Sequence, residues 1–471
     1  MERLTTLDAG FLHAEDGDRH VSSAIGGLAV LEGPVPDHDL LMSTFADRIG
    51  ACPRFAQRVR SHRFDLGAPQ WVDHPGFDLA HHVRRIGLPQ PGDDHALFRV
   101  VADVMAMRLD RDRPLWEVWV IEGLNDNRWA MLTKIHHCMA DGIAATHMLA
   151  GLCDEGIGDS FASHIRGATA TNTPLLEQGG FSVNPLRAAT GLWTVSATVA
   201  RSAVRAATGA AELAVGLLRP TSSTLNGPVT SLRRYSTARV PLDDVAKVCR
   251  RFGVTINDVA LAAITESYRA LLIRRGERPL EDALRTLVPV STRSADAVHS
   301  TDNRVSVMLP RLPVEEENPV KRLRAVHSRL DRTKSHGQRQ AGHAFVSAAN
   351  LIPFPLTAWA VRLLARLPQR GVVTLATNVP GPRHSLHIMG RRVLSVFPIP
   401  PIAMHLRTGV AMLSYADDLF FGILADYETV PDADELARGI EVAVARLAAS
   451  STSSKRPDAA HRRGLYLVDS S

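Results

Sequence analysis

Over its first third the chain carries short bursts of apolar residues separated by turn-forming ones, a pattern that predicts strands mixed with helices. Residues 22–31 (SSAIGGLAVL) read as a strand and 40–48 as a helix. Residues 115–122 (LWEVWVIE) alternate with period two, and 129–135 form an apolar run. Asn125-Asp126-Asn127 lies between them, so the two segments predict a hairpin. The pattern then stops: 167–180 is rich in Thr, Gly and polar residues and reads as a loop. Residues 186–219 are rich in Ala, Val and Leu, with Arg187, Arg201, Arg205 and Arg219 against a single acid, Glu212. Gly191, Gly209 and Gly216 interrupt the stretch, which reads either as a buried pair of connecting helices or as a basic amphipathic segment resting on lipid. Periodicity resumes near Arg233. Residues 245–251, 259–273 and 433–449 have helical spacing, whereas 284–290, 305–309, 372–377, 410–414 and 419–424 are strand-like. The Ser/Arg/Asp-rich tail has little apolar surface to bury and is expected to be disordered. The resulting expectation is two α/β units, 1–160 and 231–450, joined by a linker at 161–230 with a helical segment, and a tail at 451–471.

Composition narrows the class. At 471 residues, 45% hydrophobic and 22% charged, the chain can bury two or three ordinary cores. The formal net charge of +5 is too small and dispersed to suggest nucleic acid, but suits anionic ligands or an anionic membrane surface. Cys52, Cys138, Cys153 and Cys249 form no disulfide-like or CxxC pattern, which points to a reducing compartment. The opening MERLTTLD lacks the apolar core of a signal peptide, and no apolar run reaches the ~18 residues of a spanning helix. A cytoplasmic protein is expected, either free or peripheral on the inner membrane surface or on lipid droplets.

The chemistry concentrates in His136-His137-Cys138-Met139-Ala140-Asp141-Gly142. The apolar strand delivers two histidines into a turn, and Gly142 is read as opening a helix. Neighbouring strand residues face opposite ways, so one histidine can face a cleft while the other packs or hydrogen-bonds. A neutral imidazole is a natural general base for a hydroxyl. Asp141 could orient that imidazole or fix the turn. A metal site is the weaker alternative, since no third ligand completes a recognisable spacing. The other pair, His81-His82, lacks the Asp-Gly continuation and reads as structural, and Cys138 reads as a buried, inert thiol.

This HHxxxDG run resembles the signature of the CoA-dependent acyltransferases, shared by chloramphenicol acetyltransferases, peptide-synthetase condensation domains and wax ester synthase/diacylglycerol acyltransferases. Further segments resemble the last of these families: Leu7-Asp8 to Leu12 its opening LDxxFL, Phe77-Asp78-Leu79 with His82-Val83 its FDLxxHV, and Pro114-Leu115-Trp116 its PLW. Leu225-Asn226-Gly227-Pro228, Asn257-Asp258-Val259, Val288 to Ser291, Asn303 to Ser306 and Thr377 to Pro382 match in turn, ending with Ser414-Tyr415 and Phe421-Gly422 to Asp426. The resemblance implies an α/β fold of two chloramphenicol-acetyltransferase-like sandwich domains, with the reaction centre at their interface. It implies long-chain acyl transfer from acyl-CoA to diacylglycerol or a fatty alcohol, without metal or redox cofactor. By the same match His137 is the general base, with His136 beside it and Asp141 structural. Pro114, Leu115, Trp116, Asn257 and Asp258, together with Gly142, would shape the site and its substrate channel. Read as residues alone, Pro114-Leu115-Trp116 starts a core strand, Asn257-Asp258 caps a helix, and Asn378 holds an interface. Asn257, Asn378 and Ser414 are the candidate oxyanion donors.

Two departures bear on acceptor choice. The motif interior is Cys138-Met139-Ala140, where the family often has a bulkier residue before Asp, and Met404 to Gly409 replaces an Asn-rich segment, leaving His405 as a surface or second site histidine. Arg362, Arg366 and Arg370 would form one stripe if helical, for CoA phosphates, for a membrane surface with Trp359, or simply for solvent. The competing functional expectations are a non-catalytic lipid-binding or lipid-droplet scaffold and an acyltransferase for a small hydroxyl or amine acceptor.

Overall fold

The computed structural model describes residues 2–50, 53–62, 67–139, 151–154, 223–291, 305–335, 371–403 and 405–452. The expected loop at 167–180, the Arg-bearing stretch 186–219, the stripe Arg362, Arg366 and Arg370, and Asp141 and Gly142 of the motif all lie outside them.

The N-terminal part runs α1 (Thr6–Gly17), β1 (Ala24–Glu32), α2 (His38–Gly50), β2 (Gln57–Arg60), β3 (Gln70–Asp73), β4 (Val83–Gly87), α3 (Asp94–Ala106), β5 (Trp116–Leu124) and β6 (Arg128–His136). Helices start where side chains cap them: Thr5 accepts from the Asp8 amide at 3.1 Å, and Asp93 from the Ala96 amide at 2.8 Å. The expected hairpin is β5–β6. Asp126 and Asn127 both take positive φ, 57° and 52°, the left-handed turn that Asp and Asn tolerate and that matches strand twist.

The C-terminal part runs β7 (Arg233–Pro241), α4 (Leu242–Phe252), α5 (Ile256–Arg274), β8 (Thr286–Ser291), β9 (Val305–Met308), α6 (Pro319–Ser335), β10 (Thr374–Val379), β11 (His387–Ile388), β12 (Arg391–Ile399), β13 (Thr408–Tyr415), β14 (Asp418–Asp426) and α7 (Ala433–Thr452). Helix α5 buries most of its residues and opens with a reciprocal capping box between Thr255 and Asp258. Strands β8, β10 and β13 pair in parallel, as expected for the deeply buried centre of a sheet.

Two six-stranded sheets result, in the orders β11-β12-β1-β6-β5-β4 and β7-β14-β13-β10-β8-β9. The first is completed by the C-terminal half, whose β12 lies antiparallel to β1 with Gly26 opposite Ile399 and Leu28 opposite Phe397. A division of the chain at 160 and 230 does not anticipate this exchange. The exchanged strand then meets the second sheet. The Tyr235 hydroxyl donates to Pro398 O at 3.1 Å, and Phe397 packs edge-on against Phe420 and Phe98 at 5.1 and 6.0 Å. Gly422 is required here, because a Cβ on it would fall 1.7 Å from Pro398 O.

The linker exit is pinned to the second sheet. The Gly227 amide donates to His405 O at 3.0 Å, and a Cβ at Gly227 would meet the Arg407 guanidinium. Asp426, fully buried, accepts from the amide and hydroxyl of Thr230 at 2.5 and 2.8 Å and from those of Thr429 at 3.1 and 2.7 Å.

Candidate active site

Strand β6 is central in the first sheet and delivers the histidines at its end. The ladder holds up to the motif: the His136 amide donates to Leu115 O at 2.9 Å and the His137 amide to Ser23 O at 3.0 Å. The strand stops at His136, and a turn closed by the Met139 amide on His136 O, 2.9 Å, carries His137. The two side chains part accordingly. His136 is buried, while His137 is half-buried and stacks on Phe11 of α1 with ring centroids 4.0 Å apart.

His136 sits against a carboxylate. Its Nε2 lies 3.3 Å from Glu15 Oε1, and its Nδ1 accepts from the Cys138 amide at 3.1 Å. Glu15 Oε1 also accepts from the Ser23 amide at 2.7 Å, and its Oε2 from Arg111 at 3.0 Å. Burial works to raise the Glu15 pKa, but His136, the Ser23 amide and Arg111 outweigh it and hold the carboxyl at about 2. Glu15 is therefore a buried anion. Neither it nor Arg111 stands out in the sequence, because both lie far from the histidines along the chain and their partners are set only by the fold. The one available signal was that Phe11 and Glu15 are four apart and share a face of α1.

Burial drives the Cys138 thiol well up, and the Asp8 and Glu15 carboxylates add to this, so it fits the reading of an inert thiol. Lys134, two positions before His136, is fully buried; burial lowers its pKa to about 8. Its ammonium donates to Val104 O and Met107 O, at 2.7 and 2.5 Å, at the C-terminal end of α3.

Pro114, Leu115 and Trp116 are buried and join β6 directly, with Trp116 opposite Ile135. The Trp116 indole N–H donates to Phe55 O at 2.8 Å, and its ring stacks on His82 at 4.5 Å. His82 is itself buried and donates through Nδ1 to Trp116 O at 2.8 Å, which supports the structural reading of that histidine, while His81 is exposed. Asp258 is occupied by the α5 cap, accepting from the Thr255 amide at 2.8 Å, and by His327 Nδ1 at 2.9 Å. Asn257 is the half-buried residue beside it. Asn378 is exposed near the end of β10, and Ser414, on the neighbouring β13, accepts from the Gly381 amide at 3.1 Å; those two candidates share one end of the second sheet. His405 is half-buried with φ of 67° and bonds the linker exit through its carbonyl.

Two six-stranded sheets sharing an exchanged strand, and a histidine pair at the end of a central strand with one ring buried and the other carried by the turn, define the fold class of the HHxxxDG acyltransferases. The family model for the wax ester synthase/diacylglycerol acyltransferase catalytic domain matches residues 4–260, and that for the WS/DGAT C-terminal domain matches 301–448. The chain belongs to the wax ester synthase/diacylglycerol acyltransferase family. It is 65% identical to a probable diacylglycerol O-acyltransferase of Mycobacterium tuberculosis, covering 99% of this chain and 100% of that one. A second, putative diacylglycerol O-acyltransferase of the same organism is 46% identical over 96% of this chain and 92% of its own. Among solved structures, the wax ester synthase/diacylglycerol acyltransferase of Marinobacter aquaeolei VT8 superposes with a TM-score of 0.66 at 25% identity, covering 96% of this chain and 100% of that one. The first condensation domain of the CDA synthetase shares the fold, with a TM-score of 0.61 at 16% identity over 96% and 97% of the two chains.

Proposed function

We propose that this enzyme transfers a long-chain acyl group from acyl-CoA to the free hydroxyl of diacylglycerol, giving triacylglycerol, or of a long-chain alcohol, giving a wax ester. The observation that carries the reading is the 65% identity, over essentially the whole length of both chains, to a probable diacylglycerol O-acyltransferase. The site geometry supplies a mechanism. His137, out of the strand and only half-buried, takes the proton from the acceptor hydroxyl. The oxygen attacks the thioester carbon, and the carbonyl becomes a tetrahedral oxyanion. Collapse of that species breaks the C–S bond, and the CoA thiolate leaves with the proton from His137. Acyl group and proton are both accounted for without a covalent acyl-enzyme, a metal or a redox cofactor.

His136, buried against Glu15, holds the turn. The acceptor partitions into lipid, and the acyl-CoA is an amphiphile with an apolar chain on a charged nucleotide; among the described residues no helix is long and apolar enough to cross a membrane. Peripheral attachment to a membrane or lipid-droplet surface is the mode of access proposed, because the acceptor is held in lipid.

The test is release of free CoA thiol from palmitoyl-CoA with diacylglycerol, hexadecanol or no acceptor, for the wild type and His137→Ala. Acceptor-dependent release, reduced by roughly 10²-fold or more in the variant, is expected for loss of a general base. Wild-type turnover by folded His137→Ala would overturn the assignment, and absence of release with either lipid would favour the scaffold or small-acceptor alternatives.

A further inference from the structure

We infer that Glu15 is a positioning residue for the reaction: it fixes the tautomer and orientation of His136, and through His136 the turn that presents His137. The inference rests on the reading of His137 as the base.

Two contacts carry it. The Cys138 amide donates to His136 Nδ1 at 3.1 Å, so that nitrogen bears a lone pair and the ring proton is on Nε2. Nε2 lies 3.3 Å from Glu15 Oε1, an ion-pair distance without hydrogen-bond alignment, so the carboxylate acts on the Nε2 proton by charge. The His136–Cys138 contact spans His137, so the orientation of the His136 ring sets the backbone on which His137 rides. A ring flip, or transfer of the proton to Nδ1, would set donor against donor at the Cys138 amide and release the turn. The carboxylate makes both changes unfavourable.

Glu15 is in turn held from every side. The Ser23 amide donates to Oε1 at 2.7 Å and Arg111 to Oε2 at 3.0 Å. Arg111 also donates to Asp16 at 2.7 Å and to Leu12 O at 2.8 Å, and Arg108 donates to Glu15 O at 2.5 Å, so the C-terminal turns of α1 are clamped by the segment that leads into Pro114-Leu115-Trp116. The Ser23 that donates to Glu15 also accepts, through its carbonyl, from the His137 amide at 3.0 Å. Phe11, one turn before Glu15 on α1, stacks on His137. One helix therefore sets both histidines, by charge on His136 and by ring contact on His137. Partners that orient a reacting group in this way typically affect rate by roughly 10- to 100-fold when removed.

The experiment compares wild type, Glu15→Gln and Glu15→Leu for CoA release from palmitoyl-CoA with diacylglycerol. It follows kcat, KM, unfolding temperature and the His136 tautomer in ¹⁵N long-range spectra. Glu15→Leu is expected to lower kcat by roughly 10- to 100-fold with KM for acyl-CoA within about twofold, and to populate the Nδ1–H tautomer of His136. Glu15→Gln, which keeps an oxygen for Ser23 and His136, is expected to recover most of that rate and to keep the Nε2–H form. Wild-type kcat in folded Glu15→Leu, or an unchanged tautomer, would overturn the proposal; so would equal losses of rate and unfolding temperature in both variants. If Glu15→Leu does not fold, Arg111→Met serves instead, with lowered kcat at constant KM and a shifted tautomer supporting the proposal and their absence overturning it. If His137→Ala retains full turnover, the base assignment fails, while the Glu15–His136 coupling is still decided by the tautomer measurement.

Discussion

Lys134 shows how closely the motif strand is tied to its surroundings. Its charged head is out of water and survives there because it points at the carbonyls ending α3, where the helix dipole favours a cation. Burial lowers its pKa to about 8 from the ordinary 10.5. Between those two values the unfolded chain binds the extra proton and the folded chain does not. Stability from this residue is therefore full above pH 10.5 and is lost as pH falls to about 8, a span worth roughly 3 kcal/mol at ~1.4 kcal/mol per unit. Urea titrations at pH 8, 9 and 10 should show wild type gaining on Lys134→Met by about 2 kcal/mol, the part of that span lying between pH 8 and 10, the variant having lost the titrating group; parallel pH dependences would show that Lys134 keeps its solution pKa. None of this was legible in the sequence, where Lys134 is one polar residue in an apolar run. The histidines two and three positions later were legible, because type, spacing and the following Asp-Gly are local. Read from the residues alone, strand alternation parts the two rings without saying which turns inward, and only the motif match singles out His137; in the fold it is His136 that turns inward, against Glu15.

At the scale of elements, local pattern served well where neighbours in sequence are neighbours in space. The β5–β6 hairpin, helices α4 and α5 and the β13–β14 pair lie where period and turn residues place them, within a few residues at their ends. Asn257-Asp258 reads as a cap from residue type, but the helix starts earlier: Thr255 is the N-cap, Asn257 lies within the first turn, and Asp258 shares in the cap only from the third helical position, through the reciprocal box with Thr255. Strand β12, RRVLSVFPI, was not read, since its two arginines and Pro398 blur the alternation and its partner β1 lies at the other end of the chain. The contact of β12 with β14 depends on Gly422, the residue between Phe421 and Ile423. Gly422→Ala places a methyl against Pro398 O and 2.6 Å from the Tyr235 hydroxyl, so the two strands must separate. A loss of about 3 kcal/mol or more is expected, at or beyond the upper end for overpacking because backbone rather than a pliable side chain is in the way. Thermal unfolding of Gly422→Ala against a control such as Val442→Ala, on an exposed face of α7, checks this; equal unfolding temperatures would mean that β12 and β14 slide apart at little cost.

For the molecule as a whole, the two halves are not separable units that merely touch. Residues from 379 onward, including Ile388, Val393, Val396, Ile399, Tyr415 and Phe420, belong to the same continuous core as Leu28, Leu31 and Trp116. Arg233 extends the tie from the other side, donating to His20 O while lying 3.7 Å from Asp426. Removing β12 would uncover the edge of β1 over Gly26–Leu31, where Leu28 and Leu31 are fully buried, and an open apolar edge of this kind pairs with other chains. Residues 1–230 expressed alone should therefore aggregate even though they contain HHxxxDG, Glu15 and Phe11. Co-expressed with 231–471, they should be recovered as a soluble 1:1 complex with acyltransferase activity, because the second fragment returns β11 and β12 to the sheet. Co-purification and CoA release decide between this and the alternative. A soluble, cooperatively unfolding 1–230 fragment would mean that the first sheet is complete without the exchanged strands, and the rigidity of the histidine turn would then have to come from α1 and β5 alone.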